Sequence, residues 1–313
     1  MAKRIIEIEN LVKRYKDLVA VDHLNLEVRE GEILGLLGPN GSGKTTTINC
    51  LLSLLNYDRG NIKVFGKAMT PTSYDSKADI GVISQNVAVF DDLTVHDNID
   101  YFCGLYIDDN AKRKQLVEEA IAFVGLEDFA KFLPPKLSGG LLRRLNIACG
   151  IAHRPKLIIL DEPTVAVDPQ SRNKILEGIV ELNRRGATII YTSHYMEEIE
   201  QICSRVVIID KGKNIAEGTT IELKNMIAGG ETIHLEILDM NDEKIKEIRL
   251  LNNVKEVSYA NKNLTVEYAN GQHNLSSLLE FLNQQNIAYG RISTELPTLN
   301  DVFLEITGKE LRD

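Results

Sequence analysis

The sequence is poor in the features that would point to a secreted, metal-stapled or membrane-spanning protein. It has four cysteines, Cys50, Cys103, Cys149 and Cys203. None stands at CxxC spacing and no histidine cluster accompanies them. That excludes a disulfide framework or zinc ribbon and leaves small apolar core residues in a reducing compartment. No run approaches the roughly 18 apolar residues of a spanning helix. The opening MAKRIIEIEN lacks the apolar stretch of a signal peptide, so the expected location is cytoplasmic and any membrane role must come through a partner. Positive charge is also short: 36 Lys and Arg face 45 Asp and Glu, a net charge of −9. This argues against general nucleic-acid binding, which needs clustered cations on phosphates. Repeats and low-complexity segments are absent.

What is present reads as an α/β protein. A chain of 313 residues suggests about two domains. Ile5–Glu9 and Leu24–Val28 alternate as strands. Ile33–Leu37, Ile80–Ser84, Leu157–Leu160 and Thr188–Tyr191 are mostly apolar, as in strands buried on both faces. Helical segments lie between them, among them Thr46–Leu55, a block from about 94 to 149, and Ser171–Asn183. That alternation predicts a mainly parallel sheet with added antiparallel strands. Val206–Ile209 and Lys213–Ala216 read as a closing hairpin. The composition shifts near Gly229-Gly230. Beyond it, strands at Thr232–Leu238, Val254–Tyr259, Leu264–Tyr268 and Ile287–Ile292, with helices at Asp242–Leu251 and Ser276–Gln285, predict a small α+β, ferredoxin-like domain. The expected domains are therefore residues 1–228, with a helical subdomain at about 87–150, and 229–313.

Gly38-Pro39-Asn40-Gly41-Ser42-Gly43-Lys44-Thr45 satisfies GxxxxGK[ST] between a strand and a helix. Glycines let the backbone wrap phosphates closely, and the N–H groups at the helix start supply positive potential. Lys44 is placed to reach β- and γ-phosphates, and Thr45 to put its hydroxyl on Mg²⁺. Leu157–Leu160 ends in Asp161-Glu162. Asp161 is the candidate Mg²⁺ partner, and Glu162 the candidate general base or water-orienting group. His23, His96, His153, His234 and His273 lie in no motif and read as structural or surface residues.

Further residues make the pattern specific. Leu137-Ser138-Gly139-Gly140 opens a helix shortly before the acidic strand, Gln85 ends a buried strand, and Thr192-Ser193-His194 follows another. Tyr15 lies upstream of the phosphate loop. In this order residues 4 to 222 resemble the ATP-binding-cassette (ABC) ATPases, P-loop proteins that bind ATP and Mg²⁺. The resemblance implies that Tyr15 stacks on adenine and that Asn40, Gly41, Ser42, Gly43, Lys44, Thr45 and Thr46 cradle phosphates. It implies that Gln85 senses Mg²⁺ and the attacking water, that Glu162 is catalytic, and that His194 holds the γ-phosphate. Ser138, Gly139 and Gly140 resemble the signature that binds the nucleotide of a second copy in an ATP-sandwich homodimer. Asp168 resembles the acid of the loop that crosses that interface. Two departures stand out. Leu141 replaces the usual signature glutamine, and Val165-Ala166-Val167-Asp168 replaces SGLD, removing a hydroxyl and a glycine.

A lone cassette with no spanning helix and no room for a long coiled coil most resembles the ATPase subunit of a transporter, docked on a separate polytopic permease. Leu93–Asn98 resembles the start of the subdomain that grips the permease. Glu295–Gly308 resembles the C-terminal motif of bacterial daunorubicin-resistance-type export ATPases, with Asn300 where an acid is common. Leu299, Val302, Phe303 and Ile306 also fall at i, i+3, i+4, i+7, the pattern of a packed amphipathic helix. The expectation is an ATPase that powers a type-2 exporter of drug, lipid, peptide or polysaccharide. The alternatives are a mechanical ATPase acting on nucleic acid or ribosome, and an ATP-binding switch with negligible turnover.

Overall fold

The computed structural model describes residues 3–227, 230–269 and 274–308. They fall into two compact units, one ending at Thr219 and the other beginning at Thr220. The expected junction at 228/229 falls on Ala228 and Gly229, which lie outside the described residues, as does His273.

The first unit runs β1 (Arg4–Tyr15), β2 (Leu18–Arg29), β3 (Ile33–Leu37), α1 (Lys44–Leu51), β4 (Arg59–Val64), β5 (Lys67–Ala68), α2 (Tyr74–Lys77) and β6 (Ile80–Ile83). It continues through α3 (Val95–Gly104), α4 (Asn110–Val124), α5 (Gly139–Ile151), β7 (Leu157–Asp161), α6 (Pro169–Arg184), β8 (Thr188–Ser193), α7 (Met196–Ile202), β9 (Arg205–Asp210) and β10 (Lys213–Gly218). β2-β1-β4-β5 form an antiparallel sheet, and β10-β9-β3-β8-β7-β6 a second one that is parallel except for the β10 edge. Every residue of β3, β7 and β8 is buried, which is why these strands read as nearly continuous apolar runs. Side chains of both sheets and of α1 share one core, including Ile6, Leu24, Leu36, Ile48 and Ile190.

The helical segment is punctuated by side-chain caps. Thr94 accepts from Asp97 N–H at the start of α3 and Asp109 from Lys112 N–H at the start of α4. Ser138 and Asp168 do the same for α5 and α6. Two of the sequence-predicted signature and interface residues are thus also the residues that start their helices. The expected helix Thr46–Leu55 begins earlier and ends at Leu51, because Gly43 caps it and the chain turns at Leu52–Leu55.

The second unit runs α8 (Thr220–Lys224), β11 (Thr232–Glu236), α9 (Asp242–Arg249), β12 (Val254–Ala260), β13 (Asn263–Tyr268), α10 (Asn274–Gln284), β14 (Ile292–Glu295) and α11 (Leu299–Thr307). Its sheet order is β12-β13-β11-β14, with every neighbour antiparallel, the split β-α-β arrangement in which β13 sits between β11 and β12. Two expectations need correction. Ile287–Ile292 is not the last strand; Ile287 and Tyr289 turn into the core, and only from Ile292 does the chain pair along β11. Its approach is marked by Gly290 N–H and Arg291 C=O bonding to the backbone of Glu236. In α11, Leu299, Val302 and Phe303 are buried as expected, whereas Ile306, in the last turn, is 40% exposed. Among the described residues no helix is long and apolar enough to cross a membrane.

Candidate active site

Four adjacent parallel strands, β3, β8, β7 and β6, deliver their carboxyl ends to one rim of the sheet, where ligands of open α/β sheets bind. The register aligns those ends: Leu37 pairs with Ser193, Asp161 with Thr192, and Ile83 with Leu160. Beyond them come the phosphate loop, His194, Glu162 and Gln85. Residues far apart in sequence are therefore neighbours because of strand order alone.

The loop is closely packed. Gly41 and Gly43 have φ of 79° and 105°, values that L side chains rarely adopt. A Cβ on Gly43 would lie 2.5 Å from the Ala20 carbonyl oxygen, and one on Gly38 would lie 2.2 Å from that of Ile209. Lys44 is buried, and its Nζ donates to the carbonyls of Gly38 at 2.7 Å and Pro39 at 3.2 Å. Burial lowers the Lys44 ammonium pKa, and the nearby Glu162 and Asp161 carboxylates oppose that shift. Ser42 Oγ is buried without a hydrogen-bond partner among the described residues. Buried polar atoms are nearly always partnered, so an unmatched hydroxyl inside a glycine cradle suits a phosphate group. Asn40 and Thr45 stand exposed on the rim, and Thr46 is half-buried.

The carboxylates face this loop. Asp161 accepts from Thr45 Oγ1 at 2.8 Å on one oxygen and from Thr192 Oγ1 at 2.6 Å on the other. Glu162 comes within 3.5 Å of Lys44 Nζ, accepts from Gln85 Nε2 at 3.1 Å, and lies 3.5 Å from His194 Nδ1. Its φ of 49° is a left-handed conformation, uncommon for glutamate, and it is held there by N–H donation to Thr192 Oγ1 at 2.9 Å. The structure thus brings Lys44, Thr45, Gln85, Asp161, Glu162 and His194 into one cluster. Hard oxygens of Thr45 and Asp161, hydrogen-bonded to each other beside a phosphate cradle, suit Mg²⁺, which takes few protein ligands along with substrate phosphates.

Other expected residues stand outside the cluster. Tyr15 ends β1, pairs with Leu18 and is 43% exposed. Ala20, farther along β2, lies against Gly43, so Tyr15 belongs to a hairpin that flanks the loop. Ser138 and Gly139 are exposed at the start of α5. Gly140 is buried there: a Cβ would lie 2.4 Å from Ser171 Oγ and 3.1 Å from the Asp168 carboxylate. Asp168 itself is exposed, and the Ser171 N–H holds its carboxyl below the usual carboxylate range. Ala166, standing where SGLD would carry glycine, nonetheless adopts φ 59°.

Two contributors were not foreseen. Thr192 bridges both acids, and its one legible signal was its place at the end of a buried strand. Arg143, on α5, donates to the backbone carbonyls of Ser84, Gln85, Glu162 and Pro163.

The ABC transporter family matches residues 21–165, and the C-terminal domain of DrrA1-3-like ATP-binding proteins matches residues 218–307. Over 99% of its length the chain is 38% identical to the linearmycin resistance ATP-binding protein LnrL of Bacillus subtilis, all of which is covered. Over its full length it is 31% identical to the daunorubicin resistance ATP-binding protein DrrA3 of Streptomyces coeruleorubidus, 98% of which is covered. Among solved structures, an ATP-binding subunit of an ABC transporter superposes with a TM-score of 0.65 at 25% identity, covering 71% of this chain and 92% of that one. An ATP-binding cassette in a dimeric post-hydrolysis state, bound to ADP and Pi, gives 0.63 at 26%, covering 68% and 98%. A phosphate cradle facing paired acids, together with these full-length relationships, places the chain in the family of ABC transporter ATP-binding proteins, as an ATPase of the group related to drug-resistance exporters.

Proposed function

We propose that this chain is the motor subunit of a type-2 exporter: it binds ATP with Mg²⁺, closes on a second copy of itself, and passes the movement to a separate polytopic permease on the inner face of the cell membrane. The observation that carries this reading is the cluster of Lys44, Asp161, Glu162, Gln85 and His194 at the ends of adjacent strands. Lys44 turns its ammonium from the Gly38 and Pro39 carbonyls to the β- and γ-phosphates. Ser42 and the N–H groups at the start of α1 complete the cradle, and Tyr15 covers the base. Mg²⁺ at Thr45 and Asp161 would neutralise phosphate charge. Glu162 orients the attacking water and accepts its proton at a carboxylate oxygen, while the Gln85 amide fixes the other oxygen. His194 steadies the γ-phosphate.

Ser138, Gly139 and Gly140, exposed or tightly packed at a helix start, supply a hydroxyl and N–H groups for the nucleotide of the second copy. Closure is then a two-state movement biased by the γ-phosphate. The surface that would feel it lies close by. Phe90, shortly after Gln85, packs edge-on against Tyr101 at 5.0 Å and stacks on Phe102 at 5.9 Å, and Phe90 and Tyr101 are exposed. An apolar aromatic patch on the helical segment suits a short amphipathic helix of a permease. Relatives named for resistance to linearmycin and daunorubicin support a drug as the exported compound.

The test is the full-length Glu162→Gln protein. ATP binding should persist, turnover should fall by at least about 100-fold, and ATP should convert monomer to dimer in sedimentation. Parental turnover in this variant would overturn the assignment.

A further inference from the structure

Arg143 is 3% exposed, yet among the described residues no carboxylate pairs with it. Its guanidinium instead donates to four carbonyl oxygens on two loops: Ser84 at 2.9 Å and Gln85 at 2.8 Å on one, Glu162 at 2.6 Å and Pro163 at 2.6 Å on the other. A buried cation is costly, and one held only by backbone carbonyls spends its donors on fixing where those carbonyls stand. The two loops it joins carry the two side chains that meet at Glu162 Oε2. The left-handed backbone of Glu162 is held on its N–H by Thr192 and on its carbonyl by Arg143.

The residue also ties both loops to one rod. Arg143 lies on α5, about 7.5 Å along the axis from Ser138. One turn further on, Asn146 accepts from Ala88 N–H at 3.1 Å and donates to Ser84 C=O at 3.4 Å, so α5 holds the Gln85 loop twice. Farther along, α5 is seated on β6 by two glycines. A Cβ on Gly81 would lie 2.4 Å from the Gly150 carbonyl oxygen, and one on Gly150 would lie 2.9 Å from Ile83 Cδ1. The helix whose first residues form the proposed signature is therefore fastened, within its own chain, to both loops of the catalytic pair.

We propose that Arg143 is a positioning residue, which sets the Gln85–Glu162 pair for water attack and makes that setting follow any movement of the start of α5. This rests on the reading of Glu162 as the water-orienting group. Among the described residues the hydrogen bonds of Arg143 go to the Gln85 and Glu162 loops and none to the phosphate loop, so its loss should slow turnover without loosening ATP.

The test uses full-length parent, Arg143→Met, Arg143→Lys and Glu162→Gln proteins. Arg143→Met keeps the apolar stem and removes every donor; Arg143→Lys restores the charge and three donors. Turnover is normalised to the ATP-binding stoichiometry of each preparation, so that misfolded protein does not count. The expected result is a fall in kcat of about 10- to 100-fold for Arg143→Met, the cost of slight misplacement of reacting groups. KM and the Kd of a fluorescent ATP analogue should stay within about 3-fold of the parent. Arg143→Lys should recover at least part of kcat. Unchanged normalised kcat in Arg143→Met, or a fall in ATP affinity and stoichiometry that accounts for the whole loss, would overturn the proposal. So would failure of Arg143→Lys to exceed Arg143→Met. If Glu162→Gln turns over at the parental rate, the reading of Glu162 falls and takes this one with it. A silent Glu162→Gln with a normal Arg143→Met removes this inference alone.

Discussion

Replacing Gly43 with alanine should cost about twice as much stability as replacing Gly41, although both glycines sit in the same loop with positive φ. At Gly41, φ is 79° and among the described residues nothing lies within 4 Å of an added Cβ. The cost there is the left-handed backbone alone, about 1–2 kcal/mol for a residue with a side chain. At Gly43, φ is 105° and the Cβ would lie 2.5 Å from the Ala20 carbonyl oxygen, a backbone atom of β2 that cannot rotate away. Overpacking of that kind adds about 1–3 kcal/mol. Gly43→Ala should therefore lose about 3 kcal/mol and Gly41→Ala about 1.5 kcal/mol. Urea unfolding of the two full-length variants, compared at equal slope, reads the difference, because the rest of the chain is common to both. A fluorescent ATP analogue should show the same order, with at least about tenfold weaker binding for Gly43→Ala than for Gly41→Ala. Equal losses in both assays would show that the approach of β2 to the loop does not constrain it, and would refute the packing argument.

Other outcomes follow from buried groups away from the loop. Glu198, 2% exposed, accepts from Tyr191 OH at 2.7 Å, Thr164 Oγ1 at 2.8 Å and Ser193 Oγ at 3.0 Å, and lies 3.3 Å from Arg172 Nε. Glu198→Ala would leave three hydroxyls without their acceptor and Arg172 without its counter-charge, and should lower unfolding stability by about 3 kcal/mol; a change under about 0.5 kcal/mol would contradict the network. All four cysteines are buried and free, and burial pushes the Cys149 thiol up to about 12. At pH 8 its thiolate fraction is then about 10⁻⁴, so maleimide should label the native chain slowly and label every cysteine in urea. Rapid native labelling would show that these sites open.

Much of the site was legible because its chemistry is carried by local words. GPNGSGKT, LDE, LSGG and TSH each end or begin an element, and strand order gathers most of them. What stayed hidden depends on pairing across distance. β4, with its short polar alternation Arg59-Gly60-Asn61-Ile62-Lys63-Val64, is a strand because β1 runs beside it. α7 spans only Met196–Ile202, too short to show a helical apolar period of its own. Arg143 reads as one more surface cation in a helix. Its one signal was spacing, since Gly140, Asn146 and Ile147 at i−3, i+3 and i+4 are buried on the same side. The left-handed Glu162 has no sequence signal, because its partner Thr192 is 30 residues away. In the second unit, the apolar alternation of Ile287 and Tyr289 counts as strand by period, yet those side chains fill the core before the ladder begins.

The most direct test of the motor reading is capture of full-length Glu162→Gln protein from gently solubilised membranes of the source cells with ATP and Mg²⁺, repeated with Phe90→Asp added. The account predicts a polytopic membrane protein in stoichiometric yield with Glu162→Gln, lost when Phe90 is charged. Recovery of only soluble partners, ribosomes or nucleic acid would contradict it.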